Sequence, residues 1–154
     1  LDIALIRTPF SVPDMEVLRL RREALLAVGT HTYFPHPGGT VVLSELAELP
    51  LILYRRWEAV LCSRFAAAGC TPHILCRNDD AHMTLSLACS GLGVGILPAS
   101  ALSAQDRMHM EIRTIADPGL SSEIAVVCRK AAFLPHCAQL CWEELASANP
   151  EHTL

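Results

Sequence analysis

Charge is scarce in this chain: charged residues make up 18% of its 154 positions, and the formal net charge is -4. No run of Lys or Arg forms the basic patch that nucleic-acid binding requires, so these residues alone are not expected to hold DNA. Long apolar runs are missing as well. No stretch approaches the roughly 20 uninterrupted apolar residues of a membrane span. No signal-peptide pattern opens the sequence, so no membrane partner is expected. There is no internal repeat. The chain opens on Leu1 and enters a strand-like run at once, which reads as a fragment beginning inside a fold.

Apolar bulk is plentiful. Hydrophobic residues reach 51%, enough for a sizeable core in one ordinary domain or two small lobes. The seven cysteines are an odd number, and Cys62, Cys89, Cys128 and Cys141 fall within apolar helix or strand patterns. They are expected to be free, buried thiols of a reducing cytosol, not disulfides or metal ligands.

Strand and helix signals alternate along the chain. "LDIALI" (1–6) reads as a buried parallel strand stopped by Arg7-Thr8-Pro9. "EVLRLRR" (16–22) alternates like a half-exposed connecting strand, and "EALLAVG" (23–29) is apolar again. Pro35, Pro37, Gly38 and Gly39 make an irregular stretch, and Ser44 opens the helical "SELAEL" with acidic residues in its first turn. "LILY" (51–54) is a strand; Trp57, Val60, Leu61, Phe65 and Ala68 then recur at helical spacing up to a stop at Gly69. "HILC" (73–76) is a strand, Asn78 or Asp79 is the expected cap of "AHMTLSLACS", and "VGILP" (94–98) is a strand with a short helix at "ASAL". "MEIRTI" (110–115), a turn at Asp117-Pro118-Gly119, "EIAVVCR" (123–129) and a helix from about Pro135 to Ala148 complete the order. This order predicts an α/β fold with mostly parallel sheets.

"SGLGVGILPAS" (90–100) spaces three glycines as a phosphate loop would. Phosphate-binding glycines follow a strand and open a helix. Here the helix comes first, so the amides lie past its negative end. Gly91 is therefore expected as the left-handed helix stop, with Gly93 and Gly95 permitting close helix–strand packing.

Cys70, His73 and Cys76, with His31 and His36 upstream, raise the question of zinc. Three residues apart on a strand, His73 and Cys76 point to opposite faces, and structural zinc wants four convergent ligands. No metal and no cofactor are expected. A cysteine nucleophile with His73 or His82 as base lacks any activating context, so no enzyme is expected either.

The ordered segments "LDIALIRTP", "EALLAVGTHTYF", "LSELAELPLILY", "GCTPHILCRNDDAHMTLSLACSGLGVGILPAS" and "SSEIAVVCRK" resemble, from Leu1 to about Ala148, the effector-binding domain of LysR-type transcriptional regulators. The resemblance implies a two-lobed, type 2 periplasmic-binding-protein-like fold. Residues 1–15 and 116–154 would form a partial first lobe, and 16–115 the second lobe with crossovers at 16–22 and 110–115. The family's helix-turn-helix and linker helix, and the strand–helix–strand–helix that opens its first lobe, have no match here. Implied with the family are a small, anionic metabolite bound in the inter-lobe cleft, DNA contact only through the unmatched helix-turn-helix, a homodimer or tetramer, and a cytoplasmic location. The helix over 57–69 would pair with a second subunit. A solute-binding component of a transport system is the alternative on the same architecture.

Open α/β sheets bind ligands beyond the carboxyl ends of their strands. Those ends are Arg7-Thr8-Pro9, Tyr54-Arg55-Arg56, Asn78-Asp79 and Leu97-Pro98. The resemblance implies that the first two, with the start of the following helix, line the effector cleft. The candidate effector-binding residues are Arg7, Thr8, Pro9, Tyr54, Arg55, Arg56, Trp57, Asp79, Leu97 and Pro98. Arg7, Arg55 and Arg56 would anchor a carboxylate through their guanidinium groups. Tyr54 and Trp57 would pack on an apolar ligand body. The competing reading has Arg55 and Arg56 solvated and Trp57 packed as a helix anchor.

Overall fold

In the computed structural model, residues 2–36, 38–130 and 134–148 are described. Leu1 of the first expected strand, Pro37, and residues 149–154 of the expected first lobe lie outside them. The chain divides into two compact units, Leu1–Arg22 with Ser122–Leu154, and Glu23–Ser121.

In the smaller unit, β1 (Ile3–Arg7) pairs antiparallel with β8 (Ser121–Arg129), Ile3 opposite Cys128 and Arg7 opposite Ile124. The expectation of a buried parallel strand at β1 is corrected on both counts. Its residues are mostly half-buried, with Leu5 69% exposed. A short apolar run carries no information about the direction of a partner more than 100 positions away. The first part of β2 (Met15–Gly29) and the helix α5 (His136–Ser147) complete this unit.

The larger unit contains most of the core. The apolar "EALLAVG" continues the alternating "EVLRLRR" in one strand, β2, whose burial pattern turns from alternating to continuous at Leu25. Here β2 pairs antiparallel with β6 (Val94–Pro98) and with β7 (Glu111–Ile115). Parallel ladders join β4 (Leu51–Tyr54) to β5 (Ile74–Asn78) and to β6, and the two-residue β3 (Thr40–Val41) to β7. The fold is α/β as expected, with a mixed sheet in which the βαβ crossovers supply the parallel pairs.

Helix α1 (Leu43–Ala47) starts one residue before Ser44, because Glu45 accepts from the Val42 N–H at 3.0 Å and fixes the turn there. Helix α2 (Arg55–Ala67) buries Trp57, Leu61 and Phe65 against Leu51, Leu53, Val94 and Ile96. Each such side chain contributes about 1.5–3 kcal/mol of transfer free energy. Gly69, at φ +72°, ends α2 as expected. Helix α3 (Ala81–Cys89) is capped by Asp80, not by Asn78 or Asp79: its carboxylate accepts from the Met83 N–H at 2.8 Å. A single 3-10 turn (Ala99–Ala101) and α4 (Ala104–His109) follow β6.

The glycine run behaves as a hinge between α3 and β6. Gly91 has φ +79° just past the helix. A Cβ on Gly93 would lie 2.4 Å from the Pro50 carbonyl oxygen, so its neighbour in close approach is the chain entering β4. Gly95 is the true helix–strand contact, a Cβ there meeting Thr84 at 3.1 Å and Ala88 at 3.4 Å.

All seven cysteines are free, but the expectation of burial holds only for Cys128. Cys62, Cys70 and Cys76 are half-buried, and Cys89, Cys137 and Cys141 are exposed. In α3 the core face is Thr84, Leu85 and Ala88, which leaves Cys89 off it. Burial and, secondarily, the Glu16 charge push the Cys128 thiol up from its ordinary range.

Candidate functional site

In the larger unit the carboxyl ends of β4 and β5 lie side by side, because Tyr54 pairs with Asn78 in the parallel ladder. The next residue on each strand is Arg55 or Asp79. These two candidates meet directly: Arg55 Nη1 is 2.9 Å from Asp79 Oδ2, with side chains 54% and 75% exposed. Tyr54 is half-buried at the N-cap of α2, and its hydroxyl accepts from Arg56 Nε at 3.2 Å. A second pair, Arg77 Nε to Glu58 Oε1 at 2.6 Å, ties β5 to the first turn of α2. Side-chain and charge contact with Glu58 holds the Arg77 guanidinium's proton even more firmly than usual.

Trp57 is 1% exposed within the core cluster of α2. Helical spacing from Leu61 and Phe65 places it on the buried face, so its ring packs as a helix anchor and offers no surface to a ligand body. Its indole Nε1 has no hydrogen-bond partner among the described residues. Leu97 and Pro98 are likewise buried: Leu97 packs with Leu26, Val28, Leu85 and Leu102, and Pro98 pairs with Leu25. The exposed ground at this strand end begins two residues later, at Ser100.

Ser100 leads to a residue that sequence reasoning missed. Glu23 is 7% exposed, and its carboxylate accepts from the Ser100 N–H at 2.7 Å and the Ser100 hydroxyl at 2.9 Å. Its signal in the sequence was a lone carboxylate opening an apolar run, where burial demands a partner. Asn78 was legible as a possible cap and as part of the Asn78-Asp79 strand end. Its Oδ1 accepts from the Asp80 N–H and from the Thr84 hydroxyl, both at 3.0 Å.

In the smaller unit Arg7 ends β1 and donates to the Ser122 hydroxyl at 2.7 Å. Thr8 exchanges two bonds with Glu123, donating its N–H to the carbonyl at 3.0 Å and accepting the Glu123 N–H on its hydroxyl at 2.8 Å. Pro9 follows through a cis peptide bond and is exposed. Glu123 also pairs with Arg19.

A hollow of about 350 Å³ lies elsewhere in the larger unit, lined by Tyr33, Phe34, His36, Thr40, Glu45 and Arg113 among others. Arg113 there is 5% exposed, pairs with Glu111 at 3.1 Å, donates to the Ile112 and His36 carbonyls, and stacks 4.8 Å over the Phe34 ring. A guanidinium so engaged supports the loop and has its charge already answered. Among the described residues no group of three His, Cys, Asp or Glu converges as a metal site, and no helix is long and apolar enough to cross a membrane.

Comparison with known proteins agrees with this architecture. The chain resembles an HTH-type transcriptional regulator, BsdA, of Bacillus subtilis (strain 168), at 29% identity over 107 residues, covering 66% of this chain and 37% of that protein. It thus spans well under half the length of that relative. Among solved structures, the effector-binding domain of QuiR in complex with shikimate has a TM-score of 0.80 at 17% identity, over 99% of this chain and 74% of that one. CbnR, a LysR family transcriptional regulator, gives 0.76 at 20% identity, over 96% and 52%. The effector-binding domain of BenM with benzoate gives 0.72 at 18%, over 95% and 68%. At these identities the structures establish the shared fold. The model of the LysR substrate-binding domain matches residues 1–150, and the chain therefore belongs to the LysR substrate-binding domain family of transcriptional regulators.

Proposed function

We propose that this chain senses a small anionic metabolite, whose carboxylate is taken by Arg55 at the carboxyl ends of β4 and β5. The observation that carries this reading is the Arg55–Asp79 pair at 2.9 Å. Its guanidinium stands where open α/β sheets bind ligands, and its partner is an exposed carboxylate that an incoming one can replace with like chemistry. Tyr54 and Arg56 flank it. Arg7, with Thr8 and Pro9, is the corresponding strand end of the smaller unit. Trp57, Leu97 and Pro98 support these positions from within the core.

The wider reading follows the family. DNA is contacted through a helix-turn-helix outside these residues, in a cytoplasmic homodimer or tetramer, and the 16–115 segment is the second lobe. A sensor changes DNA binding only if the effector prefers one arrangement of the assembly. The relatives bound to shikimate and benzoate make hydroaromatic and aromatic carboxylates the first compounds to screen by thermal shift.

Titration calorimetry then tests the anchor. Arg55→Ala in the full-length protein weakens the carboxylate by roughly tenfold to a hundredfold, the worth of a charge-assisted hydrogen bond of about 1.5–3 kcal/mol. The variant keeps the wild-type melting profile. Unchanged affinity would remove the anchor from the proposal; Arg7→Ala, measured alongside, tests the strand end of the smaller unit by itself.

A further inference from the structure

We propose that Asn78 is a specificity-determining residue, whose side-chain NH2 donates to an acceptor oxygen of the effector. This rests on the reading of the β4–β5 strand ends as the effector site, and it names the group that reads the ligand's oxygen.

The orientation of the amide is fixed by its neighbours. The Asp80 N–H, 3.0 Å away, can only donate, so the Asn78 oxygen must face it. The Thr84 hydroxyl lies 3.0 Å from the same oxygen, and Thr84 is fully buried. Asp80 is itself held as the α3 cap by the Met83 N–H. Turning the amide over would set two donors against each other at Asp80.

The Nδ2 group is therefore aimed away from this turn, and it is buried with no hydrogen-bond partner among the described residues. A buried donor left unpaired is destabilising, and folded proteins retain few of them. This one sits beside Tyr54 in the ladder, one residue before Asp79. The Arg55–Asp79 pair that joins the two chain segments just past it is exposed on both sides. Exposed pairs of this kind contribute little and open readily. A carboxylate that replaces Asp79 on Arg55 brings a second oxygen to the strand end where the fixed donor waits. The ligand feature read by Asn78 is thus an acceptor oxygen, distinct from the negative charge read by Arg55.

That distinction sets the test. Carboxylic acids that bind the wild-type chain are compared by calorimetry with their primary amides, which keep the acceptor oxygen and lose the charge. Asn78→Asp keeps the oxygen that Asp80 and Thr84 require and replaces the donor with a second oxygen. The expected result is at least a tenfold loss for the neutral amide and a larger one for the acid, which the introduced charge also repels, whereas Arg55→Ala weakens the acid and leaves the amide nearly unchanged. A readout on the unaltered chain accompanies it. The sequence has only two asparagines, Asn78 and Asn149, so selective 15N-asparagine labelling yields two side-chain amide pairs. The pair absent from Asn78→Asp shifts downfield when the acid is added.

If acid and amide bind Asn78→Asp as they bind the wild type, or if that amide signal does not move, the inference fails while the Arg55 site stands. If no acid of the panel binds the wild-type chain, the site and the inference fall together. Should Asn78→Asp not fold, Asn149→Asp assigns the signals instead, because the pair it retains belongs to Asn78, and the shift of that pair on adding acid decides.

Discussion

Glu23 is one of the few charged side chains among the described residues to be buried, and both its oxygens accept from Ser100. The Ser100 N–H is otherwise left at the end of β6, where the chain enters its 3-10 turn. Glu23→Ala removes both acceptors and costs roughly 1–3 kcal/mol. Ser100→Ala removes only the hydroxyl contact and costs less than half as much. Chemical denaturation of the two single variants and the double variant measures the coupling, expected at about 0.5–3 kcal/mol. Additive effects would show that the contact carries no stability. Trp57 teaches a related lesson. Its spacing from Leu61 and Phe65 was visible in the sequence and already placed it on the core face. The ligand-packing role came from its position after a strand end, and that position is shared by residues of either face.

At the scale of the element, the turn from α3 into β6 is where a single methyl group matters most. Gly93→Ala sets a Cβ 2.4 Å from the Pro50 carbonyl oxygen, and backbone cannot swing aside as a side chain can. The Val94 N–H also donates to that same oxygen at 2.8 Å. A loss of at least about 1–3 kcal/mol is expected from such overpacking. Gly95→Ala meets side-chain atoms of Thr84 and Ala88 and costs less. Thermal unfolding of both variants checks the order, and an equal effect would refute the backbone argument.

The glycines, the Gly69 stop and the strand "VGILP" were legible because each has a local cause written in a few adjacent residues. Two elements were not. β3 is two residues long, too short for any period to show. α4, "AQDRMH", buries no residue and so has no apolar stripe. Its one mark is reciprocal capping between Ser103 and Asp106, with the Ser103 N–H donating at 2.8 Å and the Asp106 N–H at 3.2 Å. The Ser103 hydroxyl, donating to the Asp106 carboxylate at 2.5 Å, and after it the Ser103 N–H hold that carboxyl below its ordinary range. The Arg55–Asp79 contact was also out of reach. Each residue was a candidate, but their meeting depends on the register of β4 against β5, which no segment of the sequence states.

At the scale of the whole molecule, Asp117 makes stability depend on pH on the acid side. Arg64 of α2 clamps its carboxylate with two bonds, Nε at 2.8 Å and Nη2 at 2.5 Å, and the Gly119 N–H adds a third at 2.9 Å. Hydrogen bonding from Arg64 is the main reason its carboxyl lies below the ordinary range, against an opposing effect of burial. The folded state thus favours the ionised form. Its stabilisation is fully present above the unfolded value of about 3.9 and is lost as pH falls through the lower folded value. Asp117→Asn is less stable than wild type at neutral pH, and its melting temperature falls less between roughly pH 5 and pH 3. Parallel acid profiles for the two proteins would show that Asp117 does not drive the loss.

The Arg55–Asp79 pair has a consequence for how the sensor experiences its medium. A lone surface cation that captures an anion gains one screened attraction, and its affinity falls as ionic strength rises. If Arg55 takes the effector's carboxylate as proposed, one carboxylate is exchanged for another on the same guanidinium. Salt weakens the bond that is broken and the bond that is made by comparable amounts, and the two effects largely cancel. A site of that kind, carrying its own counter-anion, would be buffered against changes in ionic strength and report the concentration of its ligand more than that of the surrounding electrolyte.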